Sequence, residues 1–112
     1  MNRTDARDAA FKLIFSYEAQ KESAENLLSL YYDQTEDTAG QQDYISGVVT
    51  HAIADGVTVD GLITKYSHGW QLNRISRVSL AAMRLCISEL LYCDDIPTKV
   101  SINECVELAK TY

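Results

Sequence analysis

The sequence has little that would break a helix, since its 112 residues include a single proline and five glycines. Chains that stay disordered are rich in such residues and poor in apolar ones, whereas here 46% are apolar and 23% charged. No apolar run approaches the roughly 18 residues that a membrane span needs. Residues 1–5 also lack the apolar stretch of a secretion signal. We therefore expect one cytoplasmic domain over residues 1–112, without membrane association.

The patterns of a metal centre and of a catalytic site are also missing. Cys86, Cys93 and Cys105 form no Cys-x-x-Cys pair. Cys86 and Cys93 lie roughly 10 Å apart along a helix, too far for a disulfide. His51 and His68 have no nucleophile or carboxylate at a spacing that implies partnership, and no glycine-rich phosphate loop is present. The sequence predicts buried free thiols, no metal, no cofactor and no enzymatic activity.

Apolar residues recur at spacings of three and four, and none alternate with the period of a strand. This pattern predicts an all-α, compact bundle of about six helices, with Thr4 capping the first helix and Gly56 ending the third. The fifth helix is apolar around most of its circumference, which predicts a central position. Phe11 and Phe15 form a second apolar face on the first helix, which either packs or offers aromatic rings to a partner. The predicted helices span about 5–20, 23–33, 42–56, 59–67, 77–93 and 98–110.

Charge is unevenly distributed around a net value of −6. Residues 18–60 hold nine acids against Lys21, whereas residues 61–88 hold four cations and no acid. The first seventeen residues add three further cations against two acids. Because salt screens charge beyond about 10 Å, local distribution matters more than the sum. The two basic stretches are either ordinary solvated faces or surfaces for an anionic partner.

Three segments of the chain carry recognisable motifs. Ile96–Lys110 joins an Ile-Pro pair to an Ile-Asn-Glu step and a Val-Glu-Leu-Ala-Lys helix. Ala6-Arg7 lies in the first predicted helix, and Trp70–Ile75 runs on to Glu89–Leu91. In this order, the three segments resemble the C-terminal motif, the opening helix and the central motif of the NusB family of bacterial transcription antitermination factors. The resemblance covers nearly the whole chain. It implies two three-helix subdomains and a factor without catalysis.

The resemblance also implies binding of single-stranded boxA RNA together with NusE, a small-subunit ribosomal protein, in a complex on elongating RNA polymerase, notably on ribosomal RNA operons. NusE is expected on the fourth to sixth helices. By residue, the resemblance implies RNA contacts for Arg3, Arg7, Lys65 and Tyr66. To these the acid-free basic stretch adds Arg74 and Arg77.

Other interpretations stay open at this point. Arg7 has an alternative role in an ion pair on its own helix, Tyr66 one in the core, and Arg74 one in capping or pinning the fifth helix. As a whole, the chain also fits the RNA-binding appendage of a ribosomal RNA cytosine methyltransferase, or a helical protein-interaction module without RNA affinity.

The resemblance further implies a last amphipathic helix after Lys110, so we expect a C-terminally truncated family member. Its absence would uncover apolar side chains, which predicts self-association, such as a homodimer, or an altered sixth helix.

Overall fold

The computed structural model describes residues 1–66 and 71–112. Its radius of gyration, 13.2 Å, is that of a compact domain of this length, and the described residues form no strand. The prediction of a compact all-α bundle is thereby confirmed. None of the helices in this part of the chain is long and apolar enough to cross a membrane. The helices are α1 (Arg3–Gln20), α2 (Ala24–Gln34), α3 (Gln42–Ala54), α4 (Gly56–Tyr66), α5 (Arg77–Tyr92) and α6 (Thr98–Thr111).

The first helix begins earlier than predicted, because a different residue caps it. The Asn2 side-chain oxygen accepts the backbone N–H of Asp5 at 2.7 Å, which satisfies one of the free donors of the first turn. Thr4 therefore lies inside α1, and the predicted Thr4 cap is wrong. Ser23 caps α2 in the same way, accepting the N–H of Asn26 at 3.1 Å.

Gly56 does not end α3, as the sequence had suggested, but begins α4. The reversal is made by Asp55, whose N–H donates to the carbonyl of His51 and whose own carbonyl accepts the N–H of Val59, both at 2.9 Å. One residue thus closes one helix and opens the next. The predicted start of the fourth helix at 59 is wrong for the same reason, and its predicted end at 67 lies outside the described residues.

The central position predicted for the fifth helix is observed, since α5 packs against α1, α3, α4 and α6. Its contacts with α1, α3 and α6 form the larger core, which includes Ile14, Ile45 and Leu85. A smaller core under α4 consists of Val59, Ile63 and Leu80. The two cores therefore both lie along α5. The division into two three-helix subdomains remains a prediction.

The sixth helix is regular over Thr98–Thr111, so the structure shows none of the alteration that we had considered. Part of its surface is apolar, however, since Ile102 and Val106 are each 45% exposed. Self-association remains a prediction.

Candidate nucleic-acid interface

Arg3 lies in the first turn of α1, half-buried. Its Nε donates to the Gln41 side-chain oxygen at 2.8 Å, and its guanidinium carbon is 4.2 Å from the centre of the Tyr44 ring. Both partners are neutral, so these contacts orient the guanidinium without cancelling its charge. Arg3 therefore keeps the properties of a phosphate ligand.

Arg7 is not available to RNA. The residue is 4% exposed, and its Nε and Nη2 donate to the two carboxylate oxygens of Glu89 at 2.8 and 3.1 Å. Burial alone would lower the pKa of Arg7, but the hydrogen bond and charge of Glu89 outweigh it and raise that pKa. The prediction of an RNA contact at Arg7 is wrong, and so is the alternative of a pair within α1, because the partner belongs to α5.

Two neutral side chains complete the surroundings of the Glu89 carboxylate. Tyr44 on α3 donates to Oε2 at 2.7 Å, and Ser101 on α6 donates to Oε1 at 2.9 Å. Burial, followed by the hydrogen bond to Glu89, raises the pKa of Tyr44, which keeps its hydroxyl protonated as a donor. We call Arg7, Tyr44, Glu89 and Ser101 the Glu89 centre, and it joins α1, α3, α5 and α6.

Lys65 and Tyr66 lie together at the end of α4, and both are exposed. Tyr66 is 65% exposed, so the alternative of a core tyrosine is wrong. The Lys65 ammonium is 5.3 Å from the centre of the Tyr66 ring. A cation beside an accessible aromatic face is an arrangement suited to an unstacked base and its phosphate.

Arg74 and Arg77 are exposed where the chain enters α5. Arg74 ends the 3-10 turn Leu72–Arg74, and Arg77 is the first residue of the helix. Ser76 caps α5, since its Oγ accepts the N–H of Ser79 at 3.1 Å, so capping is not the role of Arg74. A cation in the first turn opposes the helix dipole by roughly 0.3–1 kcal/mol, and no acid lies in that turn. Helix stability therefore does not explain Arg77.

An open cavity of about 460 Å³ lies between α1 and the start of α5, and sequence reasoning had not assigned it. We call it the aromatic cavity. Phe11 stacks on Tyr112 with ring centres 5.3 Å apart, and Phe15 is partly exposed. The sequence feature that could have indicated this cavity is the second apolar face of α1, formed by Phe11 and Phe15. Its lining residues are Phe11, Lys12, Phe15, Ser16, Val78 and Tyr112.

Lys12 supplies the positive charge of the aromatic cavity. Its ammonium lies 2.9 Å from the Asp8 carboxylate and 5.4 Å from the centre of the Tyr112 ring. The hydrogen bonds to Asp8 and Tyr112 raise the pKa of Lys12, so it stays cationic. Val78, which lines the cavity, directly follows Arg77 in α5. Aromatic faces and the Lys12 ammonium therefore occur together in this cavity.

The predicted residues thus fall in three places. Arg3 contacts the start of α3, Lys65 and Tyr66 end α4, and Arg74 and Arg77 precede and begin α5. The fourth cation of the basic stretch, Arg84, is used internally. It donates to Asp60 at 2.9 and 3.0 Å and to Glu18 at 3.1 Å.

Of the remaining candidate residues, His51 stacks on Tyr92 and contacts the Asp55 carboxylate at 3.4 Å. His68 and Trp70 lie outside the described residues. Within residues 1–66 and 71–112, no group of three or more histidine, cysteine or acidic residues could hold a metal ion.

Comparison with known proteins gives one consistent result. The model of the NusB family matches residues 4–112. Transcription antitermination protein NusB of Acetivibrio thermocellus is 44% identical over 112 residues, covering all of this chain and 77% of its own length. The protein of the same name from Natranaerobius thermophilus is 39% identical, covering all of this chain and 83% of its own.

A solved structure agrees with the sequence matches. T. maritima NusB superposes with a TM-score of 0.86 at 30% identity, covering all of this chain and 79% of that one.

Proposed function

The chain belongs to the NusB family, and we propose that it acts in transcription antitermination by holding single-stranded boxA RNA jointly with NusE. The names of its relatives support the antitermination role. The RNA and the ribosomal protein are what the family resemblance implies. In this proposal the chain is a scaffold on the elongating polymerase, notably over ribosomal RNA operons, and it makes and breaks no bond.

The observation that carries the RNA part is the aromatic cavity with its neighbouring cations. A single strand can turn its bases outward, and aromatic rings stack on them while ammonium and guanidinium groups contact the phosphates. Phe15 and Tyr112 provide ring faces, and Lys12, which also pairs with Asp8, provides an ammonium group in the lining. Arg77 is exposed in the same helix, one residue before the lining residue Val78. A binding surface at this position also gives Arg77 the role that helix stability does not explain.

Few other cations are available to contact RNA phosphates beside the aromatic cavity. Arg3 and Arg74 are near the surface, but Arg7 and Arg84 are held by carboxylates. Each phosphate contact adds about 0.7 to the salt dependence of single-strand binding, so a few contacts give weak affinity. With a net charge of −6, the chain alone should bind boxA RNA weakly and depend on NusE.

The surface proposed for NusE is the apolar face of α4, α5 and α6. Two grooves cross it, one lined by Tyr66 and Leu91 and the other by Ile102 and Val106, and they share Met83. Both linings are almost entirely apolar. Side chains of this size exposed at 40% or more form a surface suited to a protein partner.

Fluorescence anisotropy with a labelled boxA oligonucleotide, with and without NusE, tests the proposal. We expect Arg77→Glu to weaken RNA binding about tenfold and to lower the salt slope by about 0.7. The matched control is Lys21→Glu, an equal charge reversal at an exposed lysine in the acidic stretch, which should change affinity less than twofold. Equal affinity for scrambled RNA, or binding that ignores salt, would contradict the proposal.

The second candidate is a helical protein-interaction module without RNA affinity. The apolar face of α4–α6 and the acidic excess favour it, because neither needs RNA. In that case NusE would bind, and boxA RNA would leave its affinity unchanged.

A further inference from the structure

Cys86 and Cys105 are brought to the same level of two neighbouring helices. The short turn Cys93–Pro97 joins α5 to α6, so the two helices run antiparallel. Ser101 on α6 donates to Glu89 on α5 at 2.9 Å. Cys86 lies one turn before Glu89 on α5, and Cys105 lies one turn after Ser101 on α6. Because the helices are antiparallel, the two cysteines therefore lie opposite each other, one turn along from the Ser101–Glu89 contact.

The spacing between the helices at that level is small. Both thiols line one groove of about 260 Å³ between α5 and α6, and the next level holds Ala82 and Ala109. Small side chains allow two helix backbones to approach closely. Cys86 packs against the core cluster that contains Cys105.

The two thiols are chemically unequal. The neighbouring Cys105 thiol lowers the pKa of Cys86, against the effect of burial. The Cys86 thiol, followed by burial, raises the pKa of Cys105. Cys86 is also the more accessible of the two, being half-buried at the groove, whereas Cys105 is 4% exposed. A half-buried thiol with a lowered pKa beside a buried second thiol is the arrangement of a reacting and a resolving cysteine.

We propose that Cys86 and Cys105 form a redox modification site, at which a peroxide produces a reversible disulfide between α5 and α6. The Cys86 thiolate attacks one oxygen of hydrogen peroxide, so that an S–O bond forms, the O–O bond breaks and hydroxide leaves. The Cys105 sulfur then attacks the sulfenic sulfur, an S–S bond replaces the S–O bond, and a second hydroxide leaves with the Cys105 proton as water. The two thiols lose two electrons, and the peroxide is reduced.

The consequence is a covalent clamp across the α5–α6 groove. The clamp fixes the distance between the two helices whose apolar side chains form that groove, and a thiol reductant releases it. This inference does not depend on the proposed RNA-binding role.

Cys93 provides an internal control. It caps the C-terminal end of α5, seven residues after Cys86, and burial raises its pKa. Because Cys86 and Cys93 fall in one tryptic peptide, 85–99, the test is made on the full chain carrying Cys93→Ser. The protein is treated with hydrogen peroxide, its free thiols are alkylated, and tryptic peptides are identified by mass spectrometry.

We expect peptides 85–99 and 100–110 to be joined until dithiothreitol is added, with both thiols lost from alkylation. The disulfide would close the loop between Cys86 and Cys105, and this should raise the melting temperature of the oxidised protein by on the order of 10 °C. Cys105→Ala in the same background should leave a reducible sulfenic acid on Cys86 and no cross-link. Cross-links between molecules, or oxidation of Cys86 to the sulfinic acid without cross-linking, would overturn the proposal.

Discussion

Two faces of α5 differ in which side chains they bury, since one buries a charged residue and the other exposes apolar ones. Glu89 is fully buried, whereas Leu90 and Leu91, the next two residues, are 40% and 42% exposed. Hydropathy alone would have placed these residues the other way round. The carboxylate is stable inside because Arg7, Tyr44 and Ser101 satisfy both of its oxygens, and buried polar groups are costly only when unpaired. Hydrogen-bond partners therefore decide burial on one face, and the opposite face leaves apolar surface for another molecule.

Breaking the Glu89 centre should have the largest effect on stability. Arg7→Ala leaves a buried carboxylate without its counter-charge, and we expect a loss of about 3–5 kcal/mol in the free energy of unfolding. Urea denaturation followed by circular dichroism measures it. The control is Lys12→Ala, which removes an exposed ion pair with Asp8 and should cost less than about 1 kcal/mol. Similar losses in the two variants would show that burial of the pair is not decisive.

Removing a single neutral donor should have an intermediate effect. Tyr44→Phe keeps the ring under Arg3 but deletes the hydrogen bond to Glu89, and bonds to charged groups contribute about 1.5–3 kcal/mol. The comparison variant is Tyr32→Phe, whose hydroxyl contacts the Gln42 carbonyl and Ser46 near the surface, and about 1 kcal/mol is expected. Thermal and urea unfolding of both variants measure the difference. An equal loss of stability in the two variants would argue that a hydrogen bond to the buried Glu89 carboxylate contributes no more than one between neutral groups.

Changes on the opposite face should affect stability least. Val106→Gln replaces a side chain that is 45% exposed by a better helix former, so unfolding should change by less than about 0.5 kcal/mol. The affinity for NusE should nevertheless fall about tenfold. Leu30→Gln on α2, 55% exposed and away from this face, is the control and should leave that affinity unchanged. Isothermal titration calorimetry distinguishes the two, and equal affinities would remove α6 from the docking surface.

The sequence predicts the helices well because their apolar periodicity is a local property. The observed bounds of α2, α5 and α6 lie within one residue of those expected. The contact between Arg7 and Glu89 was not predictable, because it joins positions 82 residues apart and no local pattern marks it. The same holds for the aromatic cavity, whose members come from the first helix, the fifth helix and Tyr112. The exposure of Lys65 and Tyr66 was also not predictable from the sequence, because it depends on how α4 packs against α5.

The Glu89 centre also sets the order in which the chain can mature during synthesis. Arg7 leaves the ribosome 82 residues before its partner, which is on the order of ten seconds at ordinary translation rates. Ser101 follows later still. Until Glu89 has emerged, the earlier helices cannot bury Arg7 together with its counter-charge. Until Ser101 has emerged, the Glu89 carboxylate lacks one of its hydrogen-bond donors. The nascent chain is therefore expected to remain open to chaperones until almost the whole of this region has been translated.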